Sequence, residues 1–204
     1  MATLLDIIFS VMFGGSLMGI IINANDIAAE TQTVYNGDMI VQQMLTNTAQ
    51  LLEGEFRNMG CGVSERVPSI TRADSTAFNF LTDIDRDGIV DTVKYSLGST
   101  SELSFTDNEL DRFLKRRINS EPEMNVGAVT VFRLRFLTRA AEILPTPVPT
   151  DRLAEIYMVE VTVEVQNPTA PARDPSMVKA GERNALYSSS LWQQTRLASQ
   201  NTRR

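Results

Sequence analysis

Hydrophobic positions follow a helical period through the first sixty residues of this chain and an alternating one after them. The opening stretch, "MATLLDIIFSVMFGGSLMGIIINAN", has no charge between Ile7 and Asn25, close to the roughly 20 residues that a helix needs to cross a bilayer. Each Leu, Ile, Phe or Val there favours insertion by about 0.3–0.6 kcal/mol, and an aspartate at the helix centre opposes it by about 2.5–3.5 kcal/mol. Asp6 stands at the end of the run rather than its centre, so insertion wins. A buried helix in a soluble assembly is the alternative. A cleaved secretory signal fits less well, because no basic region precedes the run. The stretch "VYNGDMIVQQMLTNTAQLLEGEFRNMG" then repeats Val41, Leu45, Ala49, Leu52, Phe56 and Met59 at steps of four and three, one apolar stripe on a helix. Gly60 supplies a stop, and Gly37 is a place where the rod can loosen. Gly14, Gly15 and Gly19 permit close packing in the apolar half. The reading is a single helix, transmembrane over residues 1–25 and amphipathic over 26–60, followed by a head over 61–204.

Past Gly60 the period becomes two. "STAFNFLTDID" and "GIVDTVKYSLG" read as strands joined at "DRDG", and "VTVFRLRFLT" sets Phe132, Leu134 and Phe136 opposite Arg133 and Arg135. In "IYMVEVTVEV", Tyr157, Val159, Val161, Val163 and Val165 share one face, opposite Glu160, Thr162 and Glu164. Full burial of each would contribute roughly 1.5–3 kcal/mol and fix the register. "ELDRFLKRRI" and "ALYSSSLWQQTRL" are weaker strand candidates. "ILPTPVPTD" and "QNPTAPARDPSMVKAGER" read as Pro-rich surface loops. The expected class is α+β, with the long helix packed on an antiparallel sheet whose buried face the helix stripe covers.

Charge and composition narrow the function classes. The net charge of −6 argues against a nucleic-acid partner, which needs a basic face. One cysteine, Cys61, rules out a disulfide within the chain, and with no histidine the usual triads and the common proton shuttle are missing. A catalytic role is therefore not expected. Cys61 in "MGCGV" reads as a small residue at a tight turn. The Arg112, Lys115, Arg116 and Arg117 run reads as a solvated strand face, and Trp192 as core or sheet edge. No Lys or Arg precedes the apolar run, and the first after it is Arg57, too far away to orient it. The acids Asp26, Glu30 and Asp38 on the near flank permit export of the rest of the chain.

A second acidic feature is "DIDRDGIVD". Asp83, Asp85, Asp87, Gly88 and Asp91 follow the alternate-ligand spacing of a calcium loop, with glycine at the sharp turn. Lys94 occupies the twelfth position, where an EF-hand keeps a glutamate, and the flanks read as strands. An acidic hairpin turn is the preferred reading, and Ca2+ is the alternative.

Taken in order, these stretches resemble the type IV pilin superfamily, above all its PilW-like minor pilins and the J-type minor pseudopilins of type II secretion. The residues that carry the likeness are "ATLLDIIFSVMFGG", "LLEGEFRNMGCG", "DIDRDGIVDTVKYSLG", "RFLKRRI", "GAVTVFRLRFL", "EIYMVEVTVEVQNP" and "LWQQTRLASQN". Family precursors carry a basic leader ending in glycine, and this chain has only Met1 before Ala2. Removal of an initiator Met would make Ala2 the first residue and Asp6 the fifth, where pilins keep a glutamate; a start further upstream or a trimmed chain would serve as well. The resemblance implies that the Asp6 carboxylate meets the Ala2 ammonium of a neighbouring subunit. The alternative role for Asp6 is a solvated end charge suited to the helix dipole. It also implies pilin or pseudopilin subunits as partners, an inner-membrane anchor with an extracytoplasmic head, and indirect dependence on an assembly platform and ATPase. A membrane-anchored sensor or adhesin domain that never polymerises is the competing expectation.

Overall fold

The computed structural model describes residues 2–64, 67–104, 106, 108, 110–166 and 190–198. It is an α+β fold. Helix α1, Ala2–Arg57, runs unbroken through Gly37 for 56 residues, about 84 Å at 1.5 Å per residue. Every described side chain from Thr3 to Asn36 is exposed, whereas Val41, Leu45, Ala49, Leu52 and Phe56 are buried. The predicted stripe thus holds, and it stops being exposed where the head begins. After Arg57 the chain turns through Gly60 and Gly62, whose φ angles of 76° and 72° lie where only glycine is unstrained.

Among the described residues, eight strands come after the helix, in two antiparallel sheets. The first is a meander of β1 (Ile70–Ala73), β2 (Ala77–Thr82), β3 (Asp91–Leu97), β4 (Arg112–Ile118) and β5 (Met124–Val129), paired in that order. The second pairs β6 (Val131–Leu137), β7 (Met158–Gln166) and β8 (Ser190–Ala198). The C-terminal part of α1 packs against β5, β7 and β8. Phe56 stands edge-on to Phe78, Phe80 and Tyr95, with centroids 5.1–5.5 Å apart, so one helical residue anchors the rod to the first sheet. Val159, Val161, Val163 and Val165 face the core as the alternation requires.

Three features depart from the sequence reading. "VTVFRLRFLT" is not one strand: Val129 ends β5, Val131 opens β6 in the other sheet, and Thr130 N donates to Glu164 O at 2.9 Å between them. The buried Val129 and Phe132 are three residues apart, which breaks the period of two where the chain changes sheets. The segment "ILPTPVPTD" is not merely a surface loop. Leu144 and Val148 are buried, tied by backbone bonds to Phe136 O and Ala73 O, each 2.8 Å. β2 and β3 are joined by a longer loop, residues 83–90, rather than a tight turn at "DRDG". "QNPTAPARDPSMVKAGER" lies outside the described residues after Gln166.

Candidate functional site

Three places on the chain carry charge that the fold must accommodate. At the first, Asp6 is exposed in the opening turns of α1, and Ser10 Oγ donates to its backbone carbonyl at 2.8 Å, a local bond that satisfies a hydroxyl without a partner chain. Among the described residues no ion pair includes Asp6. Ala2 opens the helix, four residues before Asp6. Around them Leu4, Leu5, Ile7, Ile8, Phe9 and Phe13 are each at least half exposed. This run is long and apolar enough to cross a membrane, and none of it is buried by the rest of the chain.

The second place is the loop between β2 and β3. Asp83, Asp85 and Asp91 each bring a carboxylate oxygen within 4.8 Å of the others. That span matches the width of a calcium shell, in which oxygens 2.3–2.6 Å from the ion stand on opposite sides. Asp83 Oδ2 accepts from Gly88 N at 3.0 Å, while Asp83 Oδ1 is buried without a hydrogen-bond partner. Asp91 accepts from Ile84 N at 3.2 Å and from Asn119 Nδ2 at 2.6 Å. Asp87, the fourth acid of the motif, does not join the group. Its Oδ1 accepts from Ile89 N at 2.7 Å, and its own N–H donates to Asp85 Oδ1 at 3.2 Å. Lys94 belongs to β3, three residues beyond Asp91, so strand alternation puts the two on opposite faces. Asp83 also rests on the turn after α1: its N–H donates to Cys61 O at 2.8 Å, and a Cβ on Gly62 would meet Asp83 Cβ at 2.9 Å. The loop is thereby braced against the end of the long helix.

Sequence reasoning missed the third. Glu55, in the last turns of α1, is buried, and Arg116 of β4 meets it with two bonds, Nη2 to Oε1 at 2.5 Å and Nε to Oε2 at 3.1 Å. Tyr95 of β3 adds its hydroxyl to Oε2 at 2.5 Å. Burial, reinforced by the Glu55 charge and hydrogen bond, pushes the Tyr95 phenol far above its ordinary value. For Arg116 burial works against the charged form, but the Glu55 bond and charge outweigh it and hold the guanidinium above its usual range. Arg116 is thus no solvated residue of a basic run. Lys115 and Arg117, on the other face of β4, do pair with exposed acids, Lys115 with Glu102 and Arg117 with Glu123. The signal for Glu55 was the heptad step Val41, Thr48, Glu55, which puts two polar residues inside the apolar stripe.

Two more acids are buried in the head. Glu160 of β7 lies between Arg135 and Arg196, at 3.4 and 2.7 Å. Burial raises its pKa, but the Arg196 hydrogen bond and charge, with smaller help from Gln194 and Arg135, leave it below the ordinary carboxylate value. Asp111, just before β4, has no such partner among the described residues. Burial raises its pKa, hydrogen bonds from Thr106 and Thr130 offset this in part, and its Oδ2 is unpartnered. Of the two readings of Trp192 the sheet edge holds and the core does not: it is 67% exposed on β8, the outer strand of the second sheet. The chain matches no family model, no curated protein and no solved structure.

Proposed function

We propose that this chain is a pilin-like structural subunit, a minor pilin or pseudopilin. On this reading it inserts in the inner membrane by the first half of α1, and it joins a type IV pilus or type II secretion-like filament, or the tip complex of one, through that helix. One observation carries the reading. A single continuous helix leaves its first half wholly uncovered and apolar, then buries its last turns between two antiparallel sheets. Apolar side chains so exposed would each cost about 1.5–3 kcal/mol in water relative to burial, so lipid or neighbouring helices must cover them. The Glu55–Arg116 pair and the Phe56 cluster support the same reading, because they make rod and head one mechanical piece. The partners are other pilin or pseudopilin subunits, with the assembly platform and its ATPase acting indirectly. The head is extracytoplasmic.

The test is cysteine crosslinking in native membranes. With Cys61→Ser as background, Ser16→Cys places one thiol in the apolar helix. A filament subunit gives crosslinks to further copies or to other pilin-like chains. A chain that stays uncrosslinked at every position tried along the helix is instead a membrane-anchored domain, such as a sensor or adhesin, that does not polymerise.

A further inference from the structure

The side of α1 turned away from the head carries one row of positions without charge. At about 100° per residue, the row steps by three or four from Ile7 through Ile21, Ala28, Met39 and Thr46 to Gln50. It is about 65 Å long at 1.5 Å per residue. The charged positions between Ile7 and Gln50 are 26, 30 and 38, and all lie roughly 100–180° round the helix from Met39. Glu53 and Arg57 close the row and pair with each other at 3.7 Å. The head takes the opposite side, where Val41, Leu45 and Leu52 are buried.

The hydrocarbon of a bilayer, about 30 Å thick, covers less than half of this row. A helix face in water ordinarily carries charge, yet from Ala28 to Gln50 the row has none, and Tyr35 and Met39 are 66% and 69% exposed on it. Its hydroxyls need no water: Ser10 Oγ and Thr46 Oγ1 donate to the carbonyls four residues back, at 2.8 and 2.7 Å. Gly14 lets a second backbone come close. A fitting cover is as long as the rod and changes from apolar to neutral polar at the same height. A second, parallel α1 meets both conditions. The bilayer sets the depth of the uncharged run 7–25 in each copy, so two copies in one membrane stand in register. Each row position then faces its own copy. An acid there would meet itself, with about 1 kcal/mol of repulsion at 4 Å in water, and the acids stand elsewhere on the helix. We propose that this row docks a second copy of the chain, parallel and in register, about a two-fold axis along the rods. The pair rests on the membrane half of the function proposed above, and adds to it a face, a partner and a register.

Full-length chain in membranes, with Cys61→Ser as background, tests this under mild oxidation. Packed helices have axes about 8–10 Å apart, which brings facing Cα atoms within disulfide reach. Met39→Cys and Thr46→Cys should each give a disulfide dimer as the main product. Ile27→Cys and Thr33→Cys, equally exposed but off the row, should give several-fold less, because their Cα atoms stand more than about 10 Å from their own copies. Ser16 lies off the row as well, so crosslinks there report neighbours beyond the pair. Dimers at Met39 and Thr46 with none at Ser16 keep the pair and count against the filament. Crosslinks at Ser16 with no dimer at Met39 or Thr46 keep the filament and overturn the pair. Equal dimer from all four variants, or a Met39→Cys product that joins only a different chain, also overturns the pair. Recovery of the chain in the soluble fraction overturns both.

Discussion

Arg116 holds Glu55 in a fork, with Nη2 to Oε1 at 2.5 Å and Nε to Oε2 at 3.1 Å, and so fastens the last turns of the long helix to the middle of the first sheet. Their side chains are only 11% and 10% exposed. Removing one partner of such a pair strands a buried charge, which typically costs about 3–5 kcal/mol. Glu55→Ala and Arg116→Ala should each destabilise the head on that scale. The double variant Glu55→Ala with Arg116→Ala should cost much less than the two singles summed, because neither charge is left alone. Denaturant melting of the four proteins, read as a double-mutant cycle, checks this. Additive losses would mean that the two groups do not couple.

Tyr95 makes the same site sensitive to alkali. The folded state holds the phenol protonated, with its pKa raised well above the unfolded value of about 10. Above that pH the unfolded chain binds fewer protons than the folded one, so stability falls as pH rises. Tyr95→Phe should flatten the fall in melting temperature between neutral and strongly alkaline pH. It should also lower stability at neutral pH by about 1 kcal/mol for the lost hydrogen bond.

What the sequence revealed and what it hid divide along physical lines. The α1 stripe and the β7 alternation were legible because each buries one face of a regular element, so period and burial coincide. Glu55 was hidden because its partners, Tyr95 and Arg116, lie 40 and 61 residues away, and a lone glutamate on a helix reads as solvated. β1 has four residues, and β5 is buried only at Val129, too little alternation to announce a strand. Leu144 and Val148 reach the core from a proline-rich segment with no period at all. Of the acidic motif, Asp83, Asp85 and Asp91 gather oxygens within 4.8 Å, whereas Asp87 Oδ1 accepts from Ile89 N, a difference that spacing alone does not carry.

Asp111 should weaken the head at neutral pH. Its folded pKa is raised by burial, so between the unfolded value near about 3.9 and the raised one the unfolded chain binds fewer protons. Stability from this group is therefore greatest in acid and is lost as pH rises through that window. Asp111→Asn should stabilise the protein by about 1 kcal/mol at pH 7, by removing a charge that costs more to bury than an amide does. The gain should vanish in acid. Melting curves of the two proteins across that range give the comparison, and a variant less stable than wild type at neutral pH would contradict it.

The acidic loop gives opposite signs with and without a cation. Three carboxylates with oxygens within 4.8 Å repel one another in water, by about 1 kcal/mol per pair at 4 Å. In chelator, Asp85→Asn should accordingly melt at or above wild type. If the loop holds calcium, millimolar calcium raises the wild-type melting temperature by mass action, and Asp85→Asn removes the rise while Asp87→Asn keeps it. Equal wild-type melting in chelator and in calcium makes the loop a turn only.

Asp6 tests the central claim most directly. A carboxylate at the edge of the apolar run is a liability in lipid unless an ammonium is near, and the proposed partner is the Ala2 amine of the next subunit. Asp6→Ala should insert in membranes as well as wild type or slightly better, yet fail to enter the filament. Asp6→Glu should assemble, because it keeps the charge with a longer reach, and Asp6→Asn should behave like Ala, because an amide lacks the Coulomb attraction. The measurement pairs membrane fractionation with recovery of each variant in sheared filaments or crosslinked complexes. Normal insertion of Asp6→Ala with loss of assembly is the predicted result; assembly of Asp6→Ala at wild-type levels would contradict it.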